Sequence, residues 1–137
     1  MNFNGIFPIL VTPFHGDESV DFSSLERLVN LMKKIGVDGV TVLGVLGEAN
    51  RLTDKEREEI IKQTVNAAGK MPVIVGTSAS GTLMACNFSQ SAYKLGASAV
   101  MVTPHNEPDL NESKIINHYD DTNYLNFNTN FFSIYSF

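Results

Sequence analysis

Three glycines, Gly36, Gly69 and Gly96, each stand where an amphipathic run stops and a short apolar run begins. Their spacing of about thirty residues is the length of one strand-plus-helix step. Two of the junctions share one grammar, Gly36-Val37-Asp38-Gly39-Val40-Thr41-Val42 and Gly96-Ala97-Ser98-Ala99-Val100-Met101-Val102: a helix-stop glycine, two residues, a small residue, then Val-x-Val. A chain that repeats this step must build a parallel α/β sheet with a helix after each strand. The repeat alone leaves two architectures open, a closed (β/α)8 barrel and an open doubly wound sheet.

The remaining elements follow in order. Ile6 to Val11 is an apolar run carrying Pro8, whose missing N–H suits a strand start or a bulge. Ser23-x-x-Glu26 has the form of a capping box, and Leu25, Leu28, Val29, Met32 and Ile35 then recur at helical spacing up to Gly36. A strand is expected within Val37 to Leu43, and a helix after the capping box Thr53-Asp54-Lys55-Glu56, with Ile60, Ile61, Val65 and Ala68 buried. Pro72 to Gly76 reads as the next strand. A third helix is expected over about Thr82 to Leu95, with Leu83, Cys86, Ala92, Tyr93 and Leu95 as its buried set, and a further strand over Ala97 to Thr103.

Between strand and helix at the centre of this series lies Gly44-Val45-Leu46-Gly47-Glu48, a glycine-bracketed turn at a strand's carboxyl end, where α/β folds keep their chemistry. This loop, with Leu52-Thr53 and Glu56-Arg57, resembles the signature of the dihydrodipicolinate synthase / N-acetylneuraminate lyase family. The opening Gly5-Ile6-Phe7-Pro8-Ile9-Leu10-Val11-Thr12-Pro13-Phe14, then Pro72 to Thr77 and Val100-Met101-Val102-Thr103-Pro104, resemble that family's landmarks in the family's order. The resemblance implies a (β/α)8 TIM barrel, of which residues 1–121 form the amino-terminal half with about four βα units. A full barrel needs about 250 residues. Residues 122–137, TNYLNFNTNFFSIYSF, carry no charge and four asparagines and are expected to be an atypical tail outside the family fold. A departure of the reading frame near residues 120–122 would account for it, as would a real tail covering an open barrel edge.

The resemblance also implies chemistry: a pyruvate-dependent lyase or aldolase of the Schiff-base type, most like 4-hydroxy-tetrahydrodipicolinate synthase, with a sugar-acid or sialic-acid-type aldolase or dehydratase as the alternative. A Schiff base needs a lysine amine unprotonated near neutral pH, hence desolvated. Lys33, Lys34, Lys55, Lys62, Lys70, Lys94 and Lys114 all fall on polar helix faces or helix ends. The family's strand-borne lysine and its Tyr-Asn-x-Pro relay have no match here, and Tyr124-Leu125-Asn126 does not replace the latter. The chain as it stands is therefore expected to be an inactive half-barrel. What the family implies for this half is the carboxylate pocket, with N–H groups of Val45 and Leu46 as donors, Gly47 allowing close approach, and Gly44 and Glu48 supporting the loop. The family's hydroxyl residues at positions 45 and 46 are aliphatic here, so both side chains also read as barrel-mouth packing. After the fourth strand, His105 and Asn106 stand where the synthases carry a pair of tyrosines. His105 could serve as an acid or base near neutrality, or simply be an exposed loop residue.

Composition excludes other classes. A net charge of −5 argues against a nucleic-acid partner, and no apolar run approaches the roughly 20 residues that span a bilayer. The amino terminus shows no basic start ahead of an apolar core, so a cytoplasmic protein is expected. Cys86 is the single cysteine and reads as a helix packing position. With His15, His105 and His118 far apart and no paired carboxylates at ligand spacing, no metal or cofactor is expected. The implied partners are a small 2-keto acid such as pyruvate and, as in the family, further copies of the chain, often as a tetramer.

Overall fold

The computed structural model describes residues 3–104, 109, 111–125 and 131–133. Each βα step appears where the glycine spacing put it. Helix α1 (Phe22–Ile35) ends at Gly36, which takes the left-handed conformation (φ 85°) and donates to Met32 and Lys33 carbonyls. Strand β1 (Val40–Val42) follows, then two short 3-10 turns, Val45–Gly47 and Ala49–Arg51, and helix α2 (Asp54–Ala68). Strand β2 (Val73–Gly76), helix α3 (Thr82–Lys94), strand β3 (Ala99–Val102), helix α4 (Glu112–Leu125) and strand β4 (Phe131–Ser133) complete the order.

The four strands form one parallel sheet in sequence order, β1-β2-β3-β4. The register places Thr41 beside Ile74 and Ile74 beside Ala99, so these three share one face. Val40, Val42, Val73, Val75, Val100 and Val102 share the other and are buried against Leu25, Val29, Ile60, Ile61, Ala85 and Ala92 of the helices. β-branched residues dominate because they pack well on a pleated surface. Each buried valine contributes roughly 1.5–3 kcal/mol relative to exposure.

The structure corrects several expectations. The Ile6–Val11 run is not a full strand: it meets β1 through one parallel bridge, Ile9 with Thr41. The Leu10 N–H donates to the Thr41 carbonyl and the Thr41 N–H to the Pro8 carbonyl. The next bond of that ladder would need an N–H on residue 8, and proline has none. Helix α1 is capped by Asp21, not Ser23: the Asp21 carboxylate accepts from the Ser24 N–H at 2.9 Å, and the Ser23 hydroxyl donates to it at 2.8 Å. A carboxylate is the stronger acceptor and takes the cap. On α3 the buried set is Ala85, Cys86, Ser89 and Ala92, whereas Leu83 is 69% exposed and Tyr93 is exposed. Small residues at this spacing let α3 approach the sheet closely. The capping box of α2 forms as expected, Thr53 N–H to Glu56 Oε2 at 2.8 Å and Glu56 N–H to Thr53 Oγ1 at 3.3 Å.

In the carboxyl-terminal stretch, α4 runs past residue 121 to Leu125, and Phe131–Ser133 pairs in parallel with Val100–Val102. The other residues of 126–137 lie outside the described set.

Candidate active site

The carboxyl end of β1 opens on Leu43, a buried leucine at φ 57°. That conformation is strained for a bulky side chain, since its Cβ crowds its own backbone. The strain turns the chain sharply enough for Gly44 to pass between Ile9 and Met101. A Cβ on Gly44 would come within 3.0 Å of Ile9 Cγ2 and 3.3 Å of Met101 Cε.

The first 3-10 turn follows. Gly47 N–H donates to the Gly44 carbonyl at 3.0 Å and Glu48 N–H to the Val45 carbonyl at 3.1 Å. The two N–H groups that open the turn, those of Val45 and Leu46, are the ones its own bonds leave over. Val45 is 98% exposed and Leu46 56%. Among the described residues neither side chain is buried.

Gly47 faces the first strand segment: a Cβ there would meet the Leu10 carbonyl at 3.4 Å, an ordinary contact. Its carbonyl accepts from the buried Thr12 hydroxyl at 2.6 Å. Glu48 supports the loop through its backbone, held at φ 52°, and its side chain makes no capping bond to either turn. The carboxylate instead pairs with Arg51 at 3.3 Å, an exposed contact between residues one 3-10 turn apart. An i,i+3 arginine thus takes the carboxylate, while within the turn the Gly47 and Glu48 N–H groups are engaged by the Gly44 and Val45 carbonyls.

Behind the loop sits Arg57, a buried cation on α2 that the sequence reading did not single out as functional. Its Nη1 donates to the Ala49 carbonyl at 2.9 Å, and its guanidinium lies 4.0 Å from the centre of the Phe88 ring. Burial lowers its pKa from the ordinary guanidinium value, with the Asp54 charge opposing. The signal was present: position 57 continues the Ile60, Ile61, Thr64 stripe, so a basic residue falls on an apolar face. Thr12 was equally readable only as the end of an apolar run.

On the neighbouring strands, Ser78 after β2 accepts from both the N–H and the hydroxyl of Thr103 after β3, each at 2.9 Å. Loop and strand ends together enclose a cavity of about 570 Å³ lined by Gly44, Val45, Arg57, Ser78, Met101 and Thr103, among others. A smaller cavity of about 160 Å³ adjoins it beneath Arg57 and Phe88.

The other sequence candidates distribute plainly. His105 and Asn106 lie outside the described residues. All seven lysines are exposed and on helices or at their ends. Cys86 is fully buried on α3. His15 is 3.9 Å from Asp21, and His118 is buried with Nδ1 3.1 Å from the Thr82 hydroxyl. Among the described residues no three His, Cys, Asp or Glu side chains gather into a metal-ligand group, and no helix is long and apolar enough to cross a membrane.

The model of the dihydrodipicolinate synthetase family matches residues 2–126. The chain belongs to the dihydrodipicolinate synthetase family. It is 37% identical over 120 residues to the 4-hydroxy-tetrahydrodipicolinate synthase of Kosmotoga olearia, covering 86% of this chain and 40% of that one. With the synthase of Methanococcus vannielii it shares 42% over 107 residues, 76% of this chain and 37% of the relative. Among solved structures, the dihydrodipicolinate synthase of Rhodopseudomonas palustris superposes with a TM-score of 0.86 at 33% identity, covering 94% of this chain and 43% of that one. The synthase of Acinetobacter baumannii, complexed with pyruvate, gives 0.88 at 28%, covering 94% and 44%. The N-acetylneuraminate lyase of Mycoplasma synoviae, at 24% identity and a TM-score of 0.85, shares the fold. The chain thus spans less than half the length of these dihydrodipicolinate synthetase relatives, and its sheet and helices are part of a (β/α)8 barrel.

Proposed function

We propose that this chain supplies the carboxylate-binding side of a Schiff-base lyase or aldolase of the 4-hydroxy-tetrahydrodipicolinate synthase type, with pyruvate as the 2-keto acid. The observation that carries the reading is the pair of N–H groups at Val45 and Leu46, which open a 3-10 turn at the carboxyl end of β1 and donate to no carbonyl among the described residues. Two adjacent backbone donors suit the two oxygens of a carboxylate. They would fix the keto acid's orientation and leave its carbonyl carbon turned toward the sheet's open face. Support comes from the pyruvate-complexed relative, which this chain resembles over nearly its whole length. On this reading the protein works in the cytoplasm and needs no cofactor.

The amine is a separate matter. A Schiff base forms when an unprotonated lysine attacks the keto carbon and water leaves, which requires an amine desolvated enough to lose its proton near pH 7. Every lysine of this chain is exposed on a helix or just past a helix end, where water reaches the side chain. The chain by itself therefore binds pyruvate reversibly and does not attack it, which is the inactive half-barrel reading in chemical terms. Equilibrium dialysis against labelled pyruvate, followed by borohydride reduction and intact mass measurement, tests both parts. Expected are saturable binding and an unchanged mass. Absence of saturable binding contradicts the carboxylate site. A stoichiometric adduct on one lysine contradicts the account of the amine.

A further inference from the structure

Glu48 sits at φ 52° and ψ 35° between the two 3-10 turns, and the carbonyl on either side of it is held by a buried side chain from a distant element. On one side the Thr12 hydroxyl, 35 residues away in sequence, donates to the Gly47 carbonyl at 2.6 Å. On the other, Arg57 Nη1 donates to the Ala49 carbonyl at 2.9 Å, with its guanidinium stacked on Phe88. Thr12 is 8% exposed and Arg57 7%, so both donors are largely withdrawn from water.

We infer that Thr12 and Arg57 are positioning residues that clamp the loop across Glu48, and that the clamp sets the direction of the Val45 and Leu46 N–H groups. A non-glycine residue in the left-handed region persists only when its surroundings over-determine it. Thr12 holds the peptide plane that enters Glu48, and the Arg51 N–H holds the plane that leaves it by donating to the Glu48 carbonyl at 2.9 Å. Arg57 anchors the next plane, so the loop is pinned on both sides of the left-handed residue. Glu48 N–H closes the first turn onto the Val45 carbonyl, so fixing the Gly47–Glu48 peptide also fixes the turn that Val45 and Leu46 open. The clamp draws on both flanks of the loop: Thr12 comes from the segment bridged to β1, and Arg57 from the helix that follows the loop. A preorganised donor pair meets a carboxylate without an ordering cost at the moment of binding. This inference rests on the carboxylate-site reading for its consequence, though the clamp itself does not.

The test compares Thr12→Val, which keeps the shape and removes the hydroxyl, Thr12→Ser, which keeps the hydroxyl, and Arg57→Met, which keeps contact with Phe88. Amide hydrogen exchange is followed at Val45 to Arg51 and, for reference, at Val73 to Gly76, together with pyruvate affinity by dialysis. Thr12→Val and Arg57→Met are each expected to speed exchange in the loop by about fivefold and weaken pyruvate by a similar factor, the scale of one buried hydrogen bond. Exchange in β2 should remain unchanged, and Thr12→Ser should keep both properties. Loop exchange unaltered in Thr12→Val and Arg57→Met overturns the clamp, as does a loss spread evenly over the loop and β2. If the unmodified chain fails to bind pyruvate while the loop exchange responds as stated, the carboxylate site falls and the clamp stands.

Discussion

The carbonyl oxygen of Leu43 occupies the space a Cβ would need on Gly76. Leu43 turns into the left-handed region at the end of β1, and its neighbour on β2 must be glycine for that turn to fit. Strain at one strand end is thus matched by a missing side chain on the next. Gly76→Ala should therefore destabilise by about 1–3 kcal/mol, the range for overpacking a filled site. Urea unfolding measures it, and a stability equal to the unmodified chain would show that Leu43 can relax.

The contrast on α3 gives a second prediction. Ala85 is fully buried against the sheet, whereas Leu83 is largely exposed. Ala85→Leu should cost about 1–3 kcal/mol, while Leu83→Ala should stay within about 0.5 kcal/mol. The reverse order of urea midpoints would restore the burial that helical spacing alone suggests for Leu83.

Thr53 closes the capping box of α2 and so sets where the helix after the loop begins. Thr53→Ala is expected to lower stability by about 1 kcal/mol. The Thr53→Ser variant, which retains the accepting oxygen, should lose much less in the same unfolding assay.

Acid should destabilise the fold through three hydrogen-bonded carboxylates near the surface. Hydrogen bonds from the Ser24 hydroxyl, the Ser24 N–H and the Ser23 hydroxyl hold Asp21 well below the usual carboxylate range. Ser19 lowers Asp17 and Thr53 lowers Glu56 in the same way. Each group's folded pKa lies below its unfolded value, so the stability it adds is fully present above about pH 4. It drains away as pH falls through the folded pKa, because protonation then removes the acceptor that the cap or turn uses. Urea midpoints measured from neutral to strongly acid pH should decline below about pH 4, and the decline should be shallower in Asp21→Asn. An identical slope in that variant would remove Asp21 from the explanation.

Much of this was legible from residues that act locally. Gly36 and Gly69 mark helix ends because they alone take positive φ cheaply, and Thr53 with Glu56 names a helix start within four residues. The Val-x-Val runs announced strands facing helices. Where the reading slipped, two local signals competed or a distant group decided. Asp21 took a cap that Ser23-x-x-Glu26 also offered, and Pro8 cut the first strand to one bridge. Leu43 at positive φ leaves no trace in sequence, since nothing about leucine favours that conformation. The bond from Thr12 to Gly47 joins parts of the chain only the tertiary fold brings together, and that from Arg57 to Ala49 depends on how α2 folds back over the loop. The loop after β1 was located by its glycines, whereas the side chains that hold it were not.

The measurement that bears most directly on the central claim is a pyruvate titration followed by the backbone amide resonances of the labelled chain. Saturable shifts are expected at the Val45 and Leu46 amides, with Gly47 and Glu48 moving less because their N–H groups are already bonded. Shifts confined to other elements, or a spectrum that pyruvate leaves unchanged, would contradict the claim.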